Sequence, residues 1–191
     1  MSNPSSALAL QRVALEQFSL VGFGGASLGS IAQAAGLSKS SVLYHYASKE
    51  ALLAAAIEPA VDALDAVIQS YPYGGDRSEH DQFVERFIDF LLEHRLAVHL
   101  FVNQGQVLGS IPAVKRANDL VRRFSETVAE RIPSVEDRIR FGVAIGGAAY
   151  ILVAAANWSG AAEPSDAEAA DARAALIDTV ASLLRHPEPA H

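Results

Sequence analysis

Lys39, Ser40, Ser41, Tyr44, His45 and Lys49 crowd into one short stretch of an otherwise apolar chain. They bring two ammonium groups together with hydroxyl and imidazole groups that hydrogen-bond without carrying full charge. Side chains of these types, displayed from a short helix, suit the base edges and phosphate oxygens of a DNA major groove. In that reading Lys39 and Ser40 or Ser41 approach base edges, while Tyr44, His45 and Lys49 hold phosphates. Ser27 would hold a phosphate from the start of the preceding helix. The bland alternative for the same residues is a solvated polar helix face.

Two other chemistries are legible and weaker. Gly25-Ala26-Ser27-Leu28-Gly29 has the form G-x-S-x-G, the nucleophile elbow of serine hydrolases. That elbow needs a strand before the serine and a triad histidine and acid after it. Here a helical pattern precedes Ser27, which is itself placed to cap the next helix. Among the six histidines, His94 and His99 do not share a helical face, and no H-E-x-x-H motif or paired carboxylates accompany them. They fit packing, solvent exposure or the polar lining of a pocket, and no metal site is expected. His80 at a helix start, and His186 and His191 near the end, read as solvated. With no cysteine, disulfides, thiolate metal sites and cysteine nucleophiles are excluded.

The elements that must present the first set follow from local pattern. Helix 1 is expected from about Ser6 to Val21, with Leu10, Val13, Ala14 and Phe18 inward. Ser27 can cap helix 2, whose apolar residues Leu28, Ile31, Ala32 and Ala35 recur at helical spacing. Gly36 stands where that helix must stop in a left-handed conformation. Leu37 is then placed to plug the corner, and Ser38 to cap helix 3 from Lys39. Ser48 caps helix 4, expected to about Ser70, in which Pro59 removes a backbone donor and predicts a kink or break. Together these make a helix-turn-helix with a third helix behind it.

This stretch resembles the DNA-binding domain of the TetR family of transcriptional regulators. The family pattern is a helix, G-F, a few residues, then T/S-h-x-x-I-A-x-x-A-G-h-S-x-x-x-h-Y-x-H-F-x-x-K-x-x-L, with h apolar. Gly22-Phe23, Ser27, Ile31-Ala32, Ala35-Gly36-Leu37-Ser38, His45-Tyr46 and Ser48-Lys49-Glu50-Ala51-Leu52 fall in place, over roughly residues 7 to 56. One departure is Leu43 at the aromatic position, with the tyrosine following as Tyr44. The resemblance implies an all-α fold of about nine helices. A three-helix DNA-binding domain would occupy residues 1–57, and a helical effector-binding and dimerisation body residues 58–191. It implies a DNA-binding regulator rather than an enzyme, without a cofactor. The usual mode is a homodimeric repressor, released from a palindromic double-stranded operator by a small-molecule effector. Dimerisation also follows physically, because one short helix reads few bases and two, about 34–36 Å apart, read successive major grooves.

Charge agrees once it is divided. The net charge is -7 overall, yet Arg12, Lys39 and Lys49 outnumber Glu16 and Glu50 in residues 1–57, leaving the acidic excess to the remainder. Only the N-terminal segment can approach nucleic acid, and neutral donors must carry many of its phosphate contacts.

In the body, Tyr71-Pro72-Tyr73-Gly74-Gly75-Asp76 reads as a loop. Ser78-x-x-Asp81, Ser134-x-x-Asp137 and Ser165-x-x-Glu168 read as capping boxes opening three helices. Phe83, Phe87, Phe90, Phe101, Phe124 and Tyr150, with Trp158, are either core or the lining of an effector cavity. The resemblance implies such a cavity, with His94 and Gln104 as polar candidates and a largely apolar ligand. The amides Asn103, Gln104 and Gln106 would orient a ligand, cap, or face water. From Phe141 to Ala156 the chain is strictly apolar for 16 residues. At 1.5 Å per residue that is about 24 Å, short of the roughly 30 Å needed to cross a bilayer. Its small residues suit close helix packing, and Gly142, Gly146, Ala149 and Val153 are the expected dimer contacts. No signal peptide is apparent, no membrane partner is expected, and a cytoplasmic location is the expectation. The rival readings are an enzyme without a sequence motif and an adaptor that kept the fold but lost DNA affinity.

Overall fold

The computed structural model describes residues 4–158 and 166–185. Among them the chain forms nine α-helices and no strand. These are α1 (Pro4–Gly25), α2 (Leu28–Ala34), α3 (Lys39–His45), α4 (Lys49–Gln69), α5 (Arg77–Glu93), α6 (Arg95–Gln104), α7 (Pro112–Arg131), α8 (Val135–Trp158) and α9 (Asp166–Leu184). The expected all-α architecture is therefore present. The helices gather into two compact units, and neither is continuous in sequence. One comprises Met1–Ala63 with Leu96–Asp119, the other Leu64–Arg95 with Leu120–His191. The amino-terminal helices thus share a unit with α6 and the first part of α7.

In the first unit Leu10, Ala14 and Phe18 of α1, Ile31 and Ala32 of α2, Val42 of α3 and Leu52 and Leu53 of α4 are almost fully buried. Each large apolar side chain withdrawn from water contributes about 1.5–3 kcal/mol, which is what holds such short helices in place. Leu37 is not among them: it is 36% exposed, and Ile31, Ala32 and Val42 fill the corner instead. Pro59 lies inside α4, and the helix continues through it to Gln69 rather than breaking. The proline itself is exposed, so its ring does not disturb the packed face of α4.

In the second unit α8 packs on α9 and α5 packs on both. Phe83, Phe87, Ile88 and Leu91 of α5 and Ala144, Ala148 and Val153 of α8 are buried. Tyr71, read from sequence only as part of a turn, is the centre of an aromatic cluster. Its ring lies 5.0 Å from Phe83, 5.5 Å from Phe124 and 5.4 Å from Phe141, each edge to face. Burial pushes the Tyr71 phenol above its ordinary value, with neighbouring Tyr73 adding to the effect.

The start of α5 differs from expectation. Asp76 caps it, accepting from the Glu79 amide at 3.0 Å, while the Glu79 carboxylate accepts from the Asp76 amide at 2.8 Å. The box is Asp76-x-x-Glu79, two residues ahead of the one expected at Ser78. The left-handed Gly74, with φ 78°, turns the chain two residues before Asp76, which places that carboxylate over the first turn of α5. At α8 the Asp137 amide donates to Ser134 Oγ at 3.3 Å, as the pattern predicts. Ser165 lies outside the described residues.

Candidate nucleic-acid interface

The helix-turn-helix is built by three serine caps and one glycine. Ser27 Oγ accepts from the Ser30 amide and Ser30 Oγ from the Ser27 amide, both at 3.0 Å, a reciprocal box opening α2. At the far end of α2, Gly36 has φ 66°, and the Leu37 amide donates to Ala32 O at 2.8 Å. This is the left-handed stop with its long return bond that the sequence predicts. Ser38 Oγ accepts from the Ser41 amide at 3.1 Å and opens α3. Ser48 Oγ accepts from the Ala51 amide at 3.1 Å in the first turn of α4. Each such serine cap contributes about 1 kcal/mol, so the starts of α2, α3 and α4 are fixed by local side chains in addition to the apolar burial beneath them.

On α3 only Val42 is buried, and it anchors the helix. Lys39, Ser40, Leu43 and Tyr44 share the outward face, with Tyr44 80% exposed and Leu43 45%. His45 and Ser41 flank that face, half-buried. The hydroxyls of Ser40 and Ser41 each lie 2.8 Å from Ser38 Oγ. Three hydroxyls therefore form one cluster at the leading end of α3, the helix that exposed Lys39 opens. Ser27 is exposed at the start of α2. Apart from Lys49, the residues predicted to meet DNA thus reach solvent on α3 or at a helix start. This surface offers hydroxyls, one ammonium, an imidazole, a phenol and an apolar leucine, which is what groove contacts need.

Lys49 is employed differently. Its Nζ donates to Phe23 O at 2.6 Å and Ala26 O at 2.9 Å, and sits 4.2 Å from the centre of the Phe23 ring. The ammonium ties α4 to the elbow between α1 and α2. A lysine at the first residue of a helix reads from sequence as a phosphate ligand, and no local pattern reveals carbonyls folded back onto it. Glu50 beside it is held below the usual carboxylate range by hydrogen bonds from its own amide and from Ser48, with Lys49 adding attraction.

The predicted effector residues divide. Phe83, Phe87 and Phe90 are buried core, and His94 is half-buried with its ring 5.4 Å from that of Phe90. Phe101 is half-buried, whereas Tyr150 is 55% exposed on α8. Gln104 is turned to α1, where its Oε1 accepts from the Phe23 amide at 2.9 Å. Asn103 donates to His99 O of its own helix. In the second unit a solvent-open cavity of about 340 Å³ is lined by Asp65, Ile68, Tyr73, Leu120, Arg123, Phe124 and Thr127. Only Phe124 was anticipated there. Among the described residues no group of three or more His, Asp or Glu is placed to hold a metal ion, and no helix is long and apolar enough to cross a membrane.

Of the predicted dimer residues, Gly142 and Gly146 are exposed and Ala149 is half-buried. Val153 is only 2% exposed and belongs to the unit's own core, so it is not available to a partner. Besides Gly142 and Gly146, α8 leaves Val135, Ile139, Val143, Tyr150 and Ile151 open, all more than half exposed.

Comparison with known proteins agrees with this geometry. Residues 10–56 match the family model described as bacterial regulatory proteins, tetR family. The HTH-type transcriptional regulator RutR of Escherichia coli K12 is 40% identical over 63 residues, which is 33% of this chain and 30% of RutR. The chain thus matches under a third of that relative's length. SCO3833, a TetR-family member from Streptomyces coelicolor, is 26% identical with a TM-score of 0.69, covering 92% of this chain and 88% of its own. The ketosteroid transcriptional regulator KstR2 of Mycobacterium tuberculosis is similar in fold alone, at 15% identity and a TM-score of 0.64, over 94% of this chain and 96% of its own. Helix-turn-helix geometry and matched motif coincide: residues 10–56 form a DNA-binding domain of the TetR family, on a chain whose fold is similar to that of SCO3833.

Proposed function

We propose that the protein is a homodimeric transcriptional regulator that binds a palindromic DNA operator through α3 and is released from it by a small molecule. The observation that carries the reading is the outward face of α3, where Lys39, Ser40, Leu43 and Tyr44 project together from a helix anchored by Val42. Lys39 and the serine cluster meet base edges, and Tyr44, His45 and Ser27 meet phosphates. The open apolar face of α8 supports the dimer, because five large apolar side chains in water on one helix are costly unless a second copy covers them. The cavity beside Tyr73 and Phe124 supports a small-molecule effector and is of ligand size. Its lining is mixed rather than wholly apolar. The reading is of a binding protein, not an enzyme. Ser27 of the G-x-S-x-G match is a helix cap bonded to Ser30, with a helix and not a strand before it.

The test is selection of bound fragments from the DNA of the source organism, followed by titration of the best fragment in varied salt. Enrichment of one palindromic site, with affinity falling linearly in the logarithm of salt, supports the regulator. A folded dimer that enriches nothing at low salt rejects it. Compounds made or consumed by products of the adjoining genes are then tested for release, and repression is read from a reporter placed behind the site.

A further inference from the structure

Helix α1 is interrupted near its end by Gly22, whose φ of 74° and ψ of 161° are not helical. The first amide after the break, Phe23 N–H, donates to Gln104 Oε1 at 2.9 Å. That acceptor comes from the last residue of α6, in the middle of the chain. Two weaker contacts run along the same seam, from Gln104 Nε2 to Phe18 O and from Ser19 Oγ to Leu96 O, both at 3.5 Å. The carbonyls of the same elbow, Phe23 O and Ala26 O, are held by Lys49. The segment that aims α2 and α3 is therefore clamped by two side chains from outside it. Lys49 belongs to the helix that directly follows α3, whereas Gln104 comes from α6. Gln104 is itself held from the other side. The next residue, Gly105, is buried where a Cβ would lie 2.5 Å from Phe101 O, and Asn118 Nδ2 of α7 donates to Gly105 O at 3.0 Å. Side chains thus connect α7 to the end of α6, and the end of α6 to the elbow.

We propose that Gln104 is a positioning residue for DNA binding: its amide oxygen sets the elbow, and through it the aim of α3, so that DNA affinity follows the position of α6. The inference rests on the DNA-binding reading above. Removing a part-buried acceptor from a backbone donor leaves that donor without its protein partner, and Gly22 gives the elbow a backbone free to find another arrangement. A displacement of α6 would act on the elbow, and so on α3, chiefly through the Gln104–Phe23 hydrogen bond, the shortest along this seam.

The test compares Gln104→Leu, which removes the acceptor at similar size, with Gln104→Glu, which keeps it. Amide hydrogen exchange is followed by NMR, and affinity for the selected DNA fragment is measured at several salt concentrations. Gln104→Leu is expected to speed exchange of the Phe23 amide and to weaken DNA binding, each by about tenfold, the equivalent of one lost hydrogen bond. The salt slope should stay unchanged, because no phosphate contact is removed. Gln104→Glu should retain Phe23 protection and most of the affinity, a rescue that loss of stability alone would not produce. Wild-type affinity in Gln104→Leu overturns the inference, as does a loss in Gln104→Glu as large as in Gln104→Leu. Failure of the wild-type protein to bind any DNA overturns the DNA-binding reading itself, and is distinguished by that control.

Discussion

Lys49 and Leu43 show how far residue type alone carries. By type and position Lys49 is a phosphate ligand, yet its ammonium is committed to Phe23 O and Ala26 O. Replacing it with methionine should therefore cost stability, about 1.5–3 kcal/mol for charge-assisted bonds to part-buried carbonyls, read from urea unfolding. The salt slope of DNA binding should not change, whereas removal of a true phosphate contact would lower it by about one. Leu43, 45% exposed on the outward side of α3, has no polar atom to offer a base. Its available partner in a major groove is the C5-methyl of thymine. Replacing single thymines of the selected site with uracil should cost about 0.8 kcal/mol, roughly fourfold in affinity, at one position in each half-site. In Leu43→Ala that position should lose its sensitivity, and a uniform response across all thymines would rule the contact out.

At the scale of elements, short helices depend on their ends. The α5 cap provides a clean comparison, since Asp76 and not Ser78 accepts the first-turn amide. Asp76→Ala should lower unfolding stability by about 1 kcal/mol, and Ser78→Ala should stay within about 0.5 kcal/mol of wild type. Equal losses in thermal melts would return the cap to Ser78. Helices α5 and α9 are joined by a two-pronged ion pair, Arg173 to Asp89, at 2.6 and 2.9 Å. The hydrogen bond from Arg173 holds the Asp89 carboxyl below its usual value, with the guanidinium charge adding to it. A lowered folded-state value means the contribution is complete above the unfolded value, about 3.9, and fades as pH falls through the folded one. Both side chains are largely exposed, so the effect is small. Wild type should lose its margin over Asp89→Asn as pH drops below about 4, measured as the difference in Tm.

For the whole molecule the decisive surface is the open face of α8. Ile139→Glu and Val143→Glu place charge on a face that is 60% and 56% exposed in the single chain, so the fold should survive. If two copies meet there, either variant should sediment as a monomer, and affinity for a palindrome should fall steeply because two readers are no longer linked. Val153→Glu, at a position 2% exposed, should instead unfold the second unit. A dimer that persists in both α8 surface variants places the partner elsewhere. The two units themselves cross the expected boundary near residue 57, because α6 and the start of α7 join the amino-terminal helices. That grouping is what allows a residue at position 104 to hold the elbow of a DNA-reading motif.

What the sequence determined by itself is nearest-neighbour in character: the serine caps at 27, 38 and 48, the left-handed Gly36, helical spacing of apolar residues and so the all-α class. Those features depend on contacts within about one helical turn, which linear order specifies. The tertiary structure alone supplied the contacts of Lys49, Gln104 and Tyr71 and the burial of Val153. Each has side-chain chemistry compatible with several roles, and the partner that selects one is brought up by packing from another element. A lysine near carbonyls and a lysine near phosphates are identical in sequence. Only the folded chain supplies the oxygen.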